Sequence, residues 1–187
     1  SSSLLAAGLD DWSVEAGRVR QELGTVSNDY GASFARGMWR HGYSDTLTVE
    51  SVGEISPHRQ NLELGLTSPL AEQWLGTAAI AASKQSTDGY GRQWLLGLEK
   101  QDLRTGVYLQ AQGGSKNYRE LGQDPDDSPV KLQLAGNASY AGTARSSFGA
   151  GFASIKLFNE DRVDTASINY SLRIGEHASL SLTASRS

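Results

Sequence analysis

Apolar and polar residues alternate through much of this chain, most regularly between Thr165 and Ser187. From Ala166 to Ile174 every second residue is apolar, and the residues between them are Ser, Asn or Arg. After Gly-Glu-His the alternation resumes through Leu180 and Leu182. A period of two residues is that of a β-strand. The segment therefore predicts a hairpin with one apolar face and one polar face.

The same period recurs upstream and predicts about eleven strands in total. The other candidates span residues 11–20, 31–41, 46–55, 61–67, 74–83, 92–100, 107–112, 130–139 and 146–157. Residues 76–83 also suit a short helix by composition, but Gly76 and the flanking alternation favour a strand. Pro57 and Pro69 are expected between strands, where the missing N–H costs no ladder hydrogen bond. The facing of residues 146–157 stays open, because large apolar side chains occupy both parities.

The gaps between these candidates alternate in length. Those after odd-numbered strands tend to be long (QELGTVSND, KQSTDGY and GSKNYRELGQDPDDS), and those after even-numbered strands are short (GYSD, QDLR, AGTA and GEH). The exception is SPHR, a short gap where a long one is expected. An antiparallel up-and-down meander with long loops at one end has this alternation, as large transmembrane β-barrels do, whereas a Greek-key sandwich does not. The predicted fold class is therefore all-β.

Composition supports this prediction and argues against several functional classes. The 21 Gly and many Ser and Thr, with four Pro and one Met, suit strands and turns better than helices. The net charge of −4 and the scattered Lys and Arg provide no basic patch for nucleic acid. The chain has no Cys, and no run reaches the ~20 apolar residues of a membrane helix. Its start, without Met or a basic segment, indicates a mature chain or a piece of a longer one.

No residue pattern predicts catalysis, a cofactor or a metal site. His41, His58 and His177 fall at predicted turns or strand ends without a second ligand at metal spacing. The acidic cluster Asp124, Asp126 and Asp127 lacks the spacing of a calcium loop, so it is interpreted as a solvated loop. There is no nucleophile elbow and no phosphate-binding loop.

Charged residues also occur inside the predicted strands, namely Glu15, Glu50, Glu54, Glu63, Glu99, Arg18, Arg36 and Arg40. Their face meets either bulk water or a hydrated lumen in which ions of both signs pair, and periodicity leaves both alternatives open. The four Trp (Trp12, Trp39, Trp74 and Trp94) lie near strand ends or on the apolar parity, as interfacial anchors do. That placement favours a membrane barrel over a sandwich core.

Specific residues near the start suggest a family. The pattern Leu4-Leu5-x-x-Gly8-Leu9-x-Asp11-Trp12-Ser13-Val14-x-x-Gly17, followed by Tyr30-Gly31 and by Arg40-x-Gly42-x-x-Asp45-x-Leu47-Thr48-Val49-Glu50, resembles the barrel of fimbrial outer-membrane ushers. Residues 61–83 and 92–112 also look like usher barrel hairpins, particularly those of the archaic chaperone–usher branch. The resemblance spans nearly the whole chain through scattered positions.

The resemblance implies a barrel of about 24 strands in the intact protein, with an inserted plug and periplasmic domains at both termini. Residues 1–187 would then be a part of the barrel wall that follows the plug, with no plug or terminal domain of their own. The implied function is that of a channel segment in the bacterial outer membrane that passes pilus subunits and serves as their assembly platform. The implied partners are outer-membrane lipid and, through the intact usher, pilus subunits and chaperone–subunit complexes, with no nucleic acid.

In this interpretation two sets of strand residues have opposite surroundings. The lumen-facing set is Glu50, Glu63, Gln110, Gln133, Asn169 and Ser181, and the lipid-facing set is Ile168, Tyr170, Leu172, Leu180 and Leu182. The last strand, from Ala178 to Ser187, is then expected to carry an edge without a partner in this chain. Two alternatives remain: a porin or autotransporter-type barrel, and a soluble all-β adhesin or carbohydrate-binding module packed sheet on sheet.

Overall fold

The computed structural model describes residues 4–20, 30–87, 89–120, 128–174 and 178–186. These residues form eleven strands: β1 (Asp10–Arg20), β2 (Tyr30–Ser44), β3 (Leu47–Ser56), β4 (Arg59–Ala71), β5 (Trp74–Gln85), β6 (Gly89–Gln101), β7 (Thr105–Gly114), β8 (Val130–Thr143), β9 (Ser146–Leu157), β10 (Val163–Ile174) and β11 (Ala178–Arg186). The predicted strand at residues 74–83 is confirmed as β5, so the helical alternative for that stretch is wrong. No helix long and apolar enough to cross a membrane occurs within the described ranges.

All eleven strands belong to one antiparallel sheet in which each strand pairs with its neighbours in sequence. The up-and-down meander predicted from the gaps is therefore confirmed. Within the described residues, β1 pairs only with β2 and β11 only with β10. The sheet is open, and its last strand carries the expected unpartnered edge.

Cross-strand partners lie on the same side of a sheet, so the registers assign paired residues to one of two faces. One side, here called the apolar face, has a continuous row of Val49, Leu66, Ala78, Leu96, Ala111 and Leu134. The opposite side, the polar face, holds most strand carboxylates and amides. In β9, Phe148 and Phe152 lie on the apolar face, whereas Ile155 lies on the polar face.

The apolar face has no protein layer upon it in the described part of the chain. Val14 is 72% exposed, Ile80 65% and Leu182 61%, and the few buried apolar side chains, Val52, Ala81 and Tyr118, lie on the opposite side. A sandwich would cover such a face with a second sheet, but every described strand belongs to this one. The soluble sandwich alternative is therefore not the observed architecture.

Neighbouring hairpins are staggered along the strand direction. Thr48, just after the β2–β3 turn, pairs with Thr67, whereas β4 continues to Ala71. Thr105, the first residue of β7, pairs with Tyr140, whereas β8 continues to Thr143. A stagger that accumulates in one direction tilts the strands, which a sheet must do to form a barrel wall.

Two details of the predicted connections are wrong. KQSTDGY is not a long gap, because β5 reaches Gln85 and β6 begins at Gly89. Lys84 pairs with Tyr90 there and its Nζ lies 5.5 Å from the ring centroid, which extends the hairpin. Pro69 lies within β4, opposite Leu75, rather than between strands. The register shifts directly after it, and such a bulge tolerates the missing N–H.

Candidate functional site

Each of the two predicted sets of residues lies on a single face of the sheet. The registers place Glu50, Glu63, Gln110, Gln133, Asn169 and Ser181 together on the polar face. They place Ile168, Tyr170, Leu172, Leu180 and Leu182 together on the apolar face. The alternation read from the sequence therefore keeps its phase across all the strands concerned.

Ionic ladders cross β1, β2 and β3 on the polar face. Arg40 pairs in register with Asp11 on one side and Glu50 on the other. Its Nε lies 3.2 Å from Glu50 Oε2, and its Nη1 lies 4.0 Å from Asp11 Oδ2. Four residues earlier in β2 and on the same face, Arg36 Nε lies 3.2 Å from Glu54 Oε1. These pairs bring opposite charges together across neighbouring strands on the polar face.

Acidic side chains outnumber basic ones in this part of the polar face. Glu63 interacts electrostatically with Glu50, Glu54 and Glu120, and with Arg36 as its basic neighbour. Glu54, Glu63 and Glu120 also line a cavity of about 170 Å³. The strands from β1 to β4 therefore present an acidic, water-accessible surface.

The polar face of the later strands is mostly uncharged. Gln110 donates from Nε2 to Gln112 Oε1 at 3.1 Å and accepts a hydrogen bond from the Tyr108 hydroxyl. Beyond β7, Ser, Thr, Asn and Gln side chains predominate on this face. The two halves of the polar face therefore differ in charge, although hydrogen-bonding side chains are common in both.

A short segment, Ser115–Glu120, folds back over the polar face, and we call it the strap. Its backbone is held by three strands in turn. Ser115 N donates to Arg92 O at 2.8 Å, and Arg92 N donates to Ser115 Oγ at 2.9 Å. Asn61 Nδ2 donates to Arg119 O at 2.9 Å, and Arg119 N donates to Ser83 Oγ at 3.3 Å.

The strap fits because small residues lie beneath it. A Cβ on Gly91 would lie closer than 3.0 Å to the backbone of Tyr118, so only glycine admits this approach. Ser83 is 2% exposed, Tyr118 7% and Arg119 8%. Burial, and then the charge of Glu120, raises the pKa of the Tyr118 phenol. The sequence predicted only a long loop here, and it placed Gly91 just before the strand at residues 92–100, so no local signal indicated the close approach.

The segment Leu4–Leu9 caps the β2–β3 hairpin at the opposite end of the polar face. Leu5 N donates to Thr48 Oγ1 at 2.8 Å, and Gly8 N donates to Gly42 O at 2.8 Å. Thr48 is only 2% exposed as a result. Together with the strap, this segment leaves the middle of the polar face open.

Of the three histidines predicted to be solvated, His41 instead makes side-chain contacts within the sheet. His41 lies in β2, with Nδ1 2.9 Å from Asp10 Oδ1 and its ring stacked on Trp39 at 5.6 Å. Among the described residues, no group of three or more His, Asp or Glu could hold a metal ion. His177, Asp124, Asp126 and Asp127 lie outside the described residues.

All four tryptophans lie on the apolar face. Trp12 and Trp39 are cross-strand partners near the β2–β3 turn, and Trp74 is the first residue of β5 beside the β4–β5 turn. Trp94 lies closer to the end of the sheet that carries the strap. Their indole rings are therefore placed toward the two rims rather than gathered in a core.

Solved structures contain the same fold. No protein-family model and no curated protein matches the chain. The translocation pore of the P pilus usher PapC matches 98% of this chain with a TM-score of 0.79 and 17% identity. A crystal structure of the PapC translocation pore matches 99% with a TM-score of 0.75 and 17% identity. The E. coli P pilus tip assembly intermediate PapC-PapD-PapK-PapG, in its second conformation, matches 99% with a TM-score of 0.80 and 18% identity.

The chain spans only part of each of these proteins, covering 40%, 41% and 25% of their chains, respectively. Nearly all of this chain is nevertheless superimposable on them. The fold is therefore that of a segment of an usher β-barrel, as the sequence resemblance implied.

Proposed function

We propose that this chain is a wall segment of an usher-type channel in the bacterial outer membrane, through which pilus subunits pass and on which they are assembled. The observation that carries this proposal is a single sheet of usher-barrel fold with one continuous apolar face and one polar face. No step of bond making or breaking is assigned to it, since the task is transport by shape and surface chemistry.

The apolar face is proposed to meet lipid. Fully burying one Leu or Ile side chain is worth about 1.5–3 kcal/mol, and this face exposes such side chains on every strand from β3 to β8 and on the last hairpin. Soluble monomers rarely expose contiguous apolar patches of that extent. Trp12, Trp39 and Trp74 toward one rim have the placement expected of aromatic anchors at headgroup depth.

The polar face is proposed to line the lumen. Paired charges and amide side chains suit a water-filled passage, and the strap would project into that passage from one end. The partners of the intact channel would be pilus subunits and their chaperone complexes. The open edges of β1 and β11 would pair with the remaining strands of the barrel wall, so residues 1–187 form one partial barrel domain.

Paired cysteine substitutions test the facing. Ile168 and Asn169 are adjacent in β10 and lie on opposite faces at the same depth, as do Leu180 and Ser181 in β11. Each is replaced singly by Cys in the natively cysteine-free chain and exposed in membranes to a membrane-impermeant thiol reagent. Asn169→Cys and Ser181→Cys should react, whereas Ile168→Cys and Leu180→Cys should not. Equal labelling of both members of each pair would refute the assignment.

Transit of subunits needs a separate test. Substitution of the acidic pair Glu50→Gln and Glu63→Gln in the intact channel, with Glu99→Gln as a control on the same face, is followed by counting surface pili. Reduced piliation in the double variant alone supports a path along β3 and β4. Unchanged piliation in a strain that depends on this channel would favour a porin-type role for the face.

A further inference from the structure

Charged strand residues are divided unequally between the two faces of the sheet. On the apolar face the registers place six basic residues, Arg18, Lys84, Arg92, Lys100, Lys156 and Arg186, against two acidic ones, Asp10 and Asp164. The chain as a whole has a net charge of −4, so this excess is opposite in sign to the molecule. A face proposed to meet lipid therefore carries positive charge.

These basic residues also share one end of the sheet. Arg18, Lys84 and Arg186 lie near the last residues of β1, β5 and β11, and Lys156 lies near the last residue of β9. Arg92 lies near the first residue of β6, which is the same end because the strands are antiparallel. Only Lys100 lies at the opposite rim. A group of basic residues at one end of the sheet is what an interface with anionic headgroups requires.

The middle of this rim has a shaped groove. It has a volume of about 500 Å³. Its lining combines Ile55, Gln60, Leu62, Ala82, Lys84 and Tyr90 of the apolar face with Gly53, Glu54, Asn61 and Ser83 of the same strands. We call it the rim groove. Its floor is aliphatic, Tyr90 is 73% exposed at its mouth, and Lys84 Nζ lies 5.5 Å from the Tyr90 ring centroid. Arg92 lies beside the groove, because its cross-strand partner is Ala82, which lines it. The Arg92 side chain is exposed.

We propose that the rim groove binds an anionic membrane lipid, with the phosphate of the headgroup on Lys84 and Arg92 and the upper part of an acyl chain along Ile55 and Leu62. The Lys84 side chain extends along apolar surface with its ammonium at the rim, which is the arrangement of an interfacial lysine. Among the described residues, neither Lys84 nor Arg92 has a carboxylate within salt-bridge distance. Both cations are therefore available to a phosphate.

The proposal rests on the proposed facing and adds a ligand to it. The chemistry it selects is a phosphate ester at the end of an aliphatic chain, since the site joins two cations to an apolar floor. The electrostatic contribution is expected to be about fivefold in affinity for each basic residue at the surface.

Tryptophan quenching by brominated lipids measures this preference. The full chain is reconstituted with Trp12, Trp39 and Trp74 replaced by Phe, which leaves Trp94 on the same face and strand as Arg92. Phosphatidylcholine vesicles contain either dibromo-phosphatidylglycerol or dibromo-phosphatidylcholine as the minor lipid. The anionic lipid should quench Trp94 at a severalfold lower mole fraction, and 0.5 M NaCl should reduce the difference.

Variants separate the site from general attraction. K84Q/R92Q should abolish the preference while both lipids still quench, K84R/R92K should retain it, and K100Q at the opposite rim should leave it unchanged. Quenching without any headgroup preference in the parent chain, or a preference that survives K84Q/R92Q, overturns the lipid site but leaves the facing intact. If neither lipid quenches Trp94, the apolar face does not meet lipid and the proposed function itself fails. A preference abolished by millimolar inorganic phosphate would assign the site to free phosphate and overturn the lipid proposal.

Discussion

Replacing Gly91 by Ala should release the strap from the polar face while leaving the sheet intact. The new Cβ would lie closer than 3.0 Å to Tyr118 Cα and N and 2.5 Å from the carbonyl carbon of Asn117. These are backbone atoms, so no side-chain rotation relieves the clash. The strap must move away from β6 by roughly 1 Å, given ordinary carbon contacts of about 3.5–4.0 Å.

The size of the effect follows from what the strap would lose. A displaced backbone weakens the hydrogen bonds from Asn61 to Arg119 O and from Arg119 N to Ser83, each worth about 1 kcal/mol net. Exposing the Tyr118 ring costs about 2 kcal/mol more. The closed strap should therefore lose about 4 kcal/mol, which corresponds to roughly a thousandfold rise in its opening equilibrium.

Amide hydrogen exchange and limited trypsin digestion at Lys116 and Arg119 report this opening directly. Gly97→Ala is the matched control, since Gly97 is on the same strand and face but a Cβ there would lie no closer than 3.6 Å to its nearest neighbour, Thr77 Cβ. Faster exchange at the Arg119 amide in Gly91→Ala, with Gly97→Ala unchanged, is expected. Parental exchange rates in Gly91→Ala, or a loss of protection spread over all strands, would refute the close approach as the determinant of the strap.

Three further outcomes are expected. Leu66→Arg, in the middle of the apolar face, should destabilise the membrane-embedded protein by about 2–4 kcal/mol, measured from the urea midpoint of unfolding. Gln133→Arg, on the polar face, should change that midpoint little. Equal effects of the two substitutions would contradict the facing. Arg40→Ala leaves Asp11 and Glu50 without their shared cation. The free energy of unfolding should therefore fall by about 1 kcal/mol at low salt and by less at 0.5 M NaCl. A loss of stability that does not depend on salt would contradict an ionic ladder. The raised pKa of Tyr118 means that its burial stabilises the strap fully below the ordinary tyrosine value of about 10 and ceases to do so as pH rises through the shifted value. The tyrosinate absorbance of Tyr118 is measured as the difference between the parent and Tyr118→Phe, and it should appear at a higher pH than the tyrosinate absorbance of free tyrosine. A midpoint at or below about pH 10 would contradict the burial.

The strands and their faces could be predicted because their cause is local. Alternation with a period of two puts Ile168 and Asn169 on opposite sides whatever the neighbouring strand is, and the phase is kept because antiparallel partners share a face. The short turns also made the order of the strands predictable, because two strands joined by a short turn pair with each other as a hairpin. The β5–β6 connection was misjudged because Lys84 and Tyr90, both polar or amphipathic, continue a ladder that composition alone attributes to a loop.

The site depends on contacts between residues far apart in sequence, and these no local pattern specifies. The strap lies where it does because Asn61, Ser83 and Gly91 meet it from three different strands. The stagger of the hairpins and the open edges arise from registers summed over the whole sheet. The gathering of Lys84, Arg92 and Lys156 at one rim depends in the same way on strand direction and length together.

The sequence by itself determined that the chain is an antiparallel meander with an apolar and a polar side, because side-chain alternation is a property of each strand alone. Only the tertiary structure decided that these sides form two continuous faces of a single uncovered sheet, that β9 turns Phe148 and Phe152 to the apolar face, and that the strap lies on the polar one. Those features require the strands to be aligned with one another, and alignment is set by hydrogen-bond register and packing across the sheet.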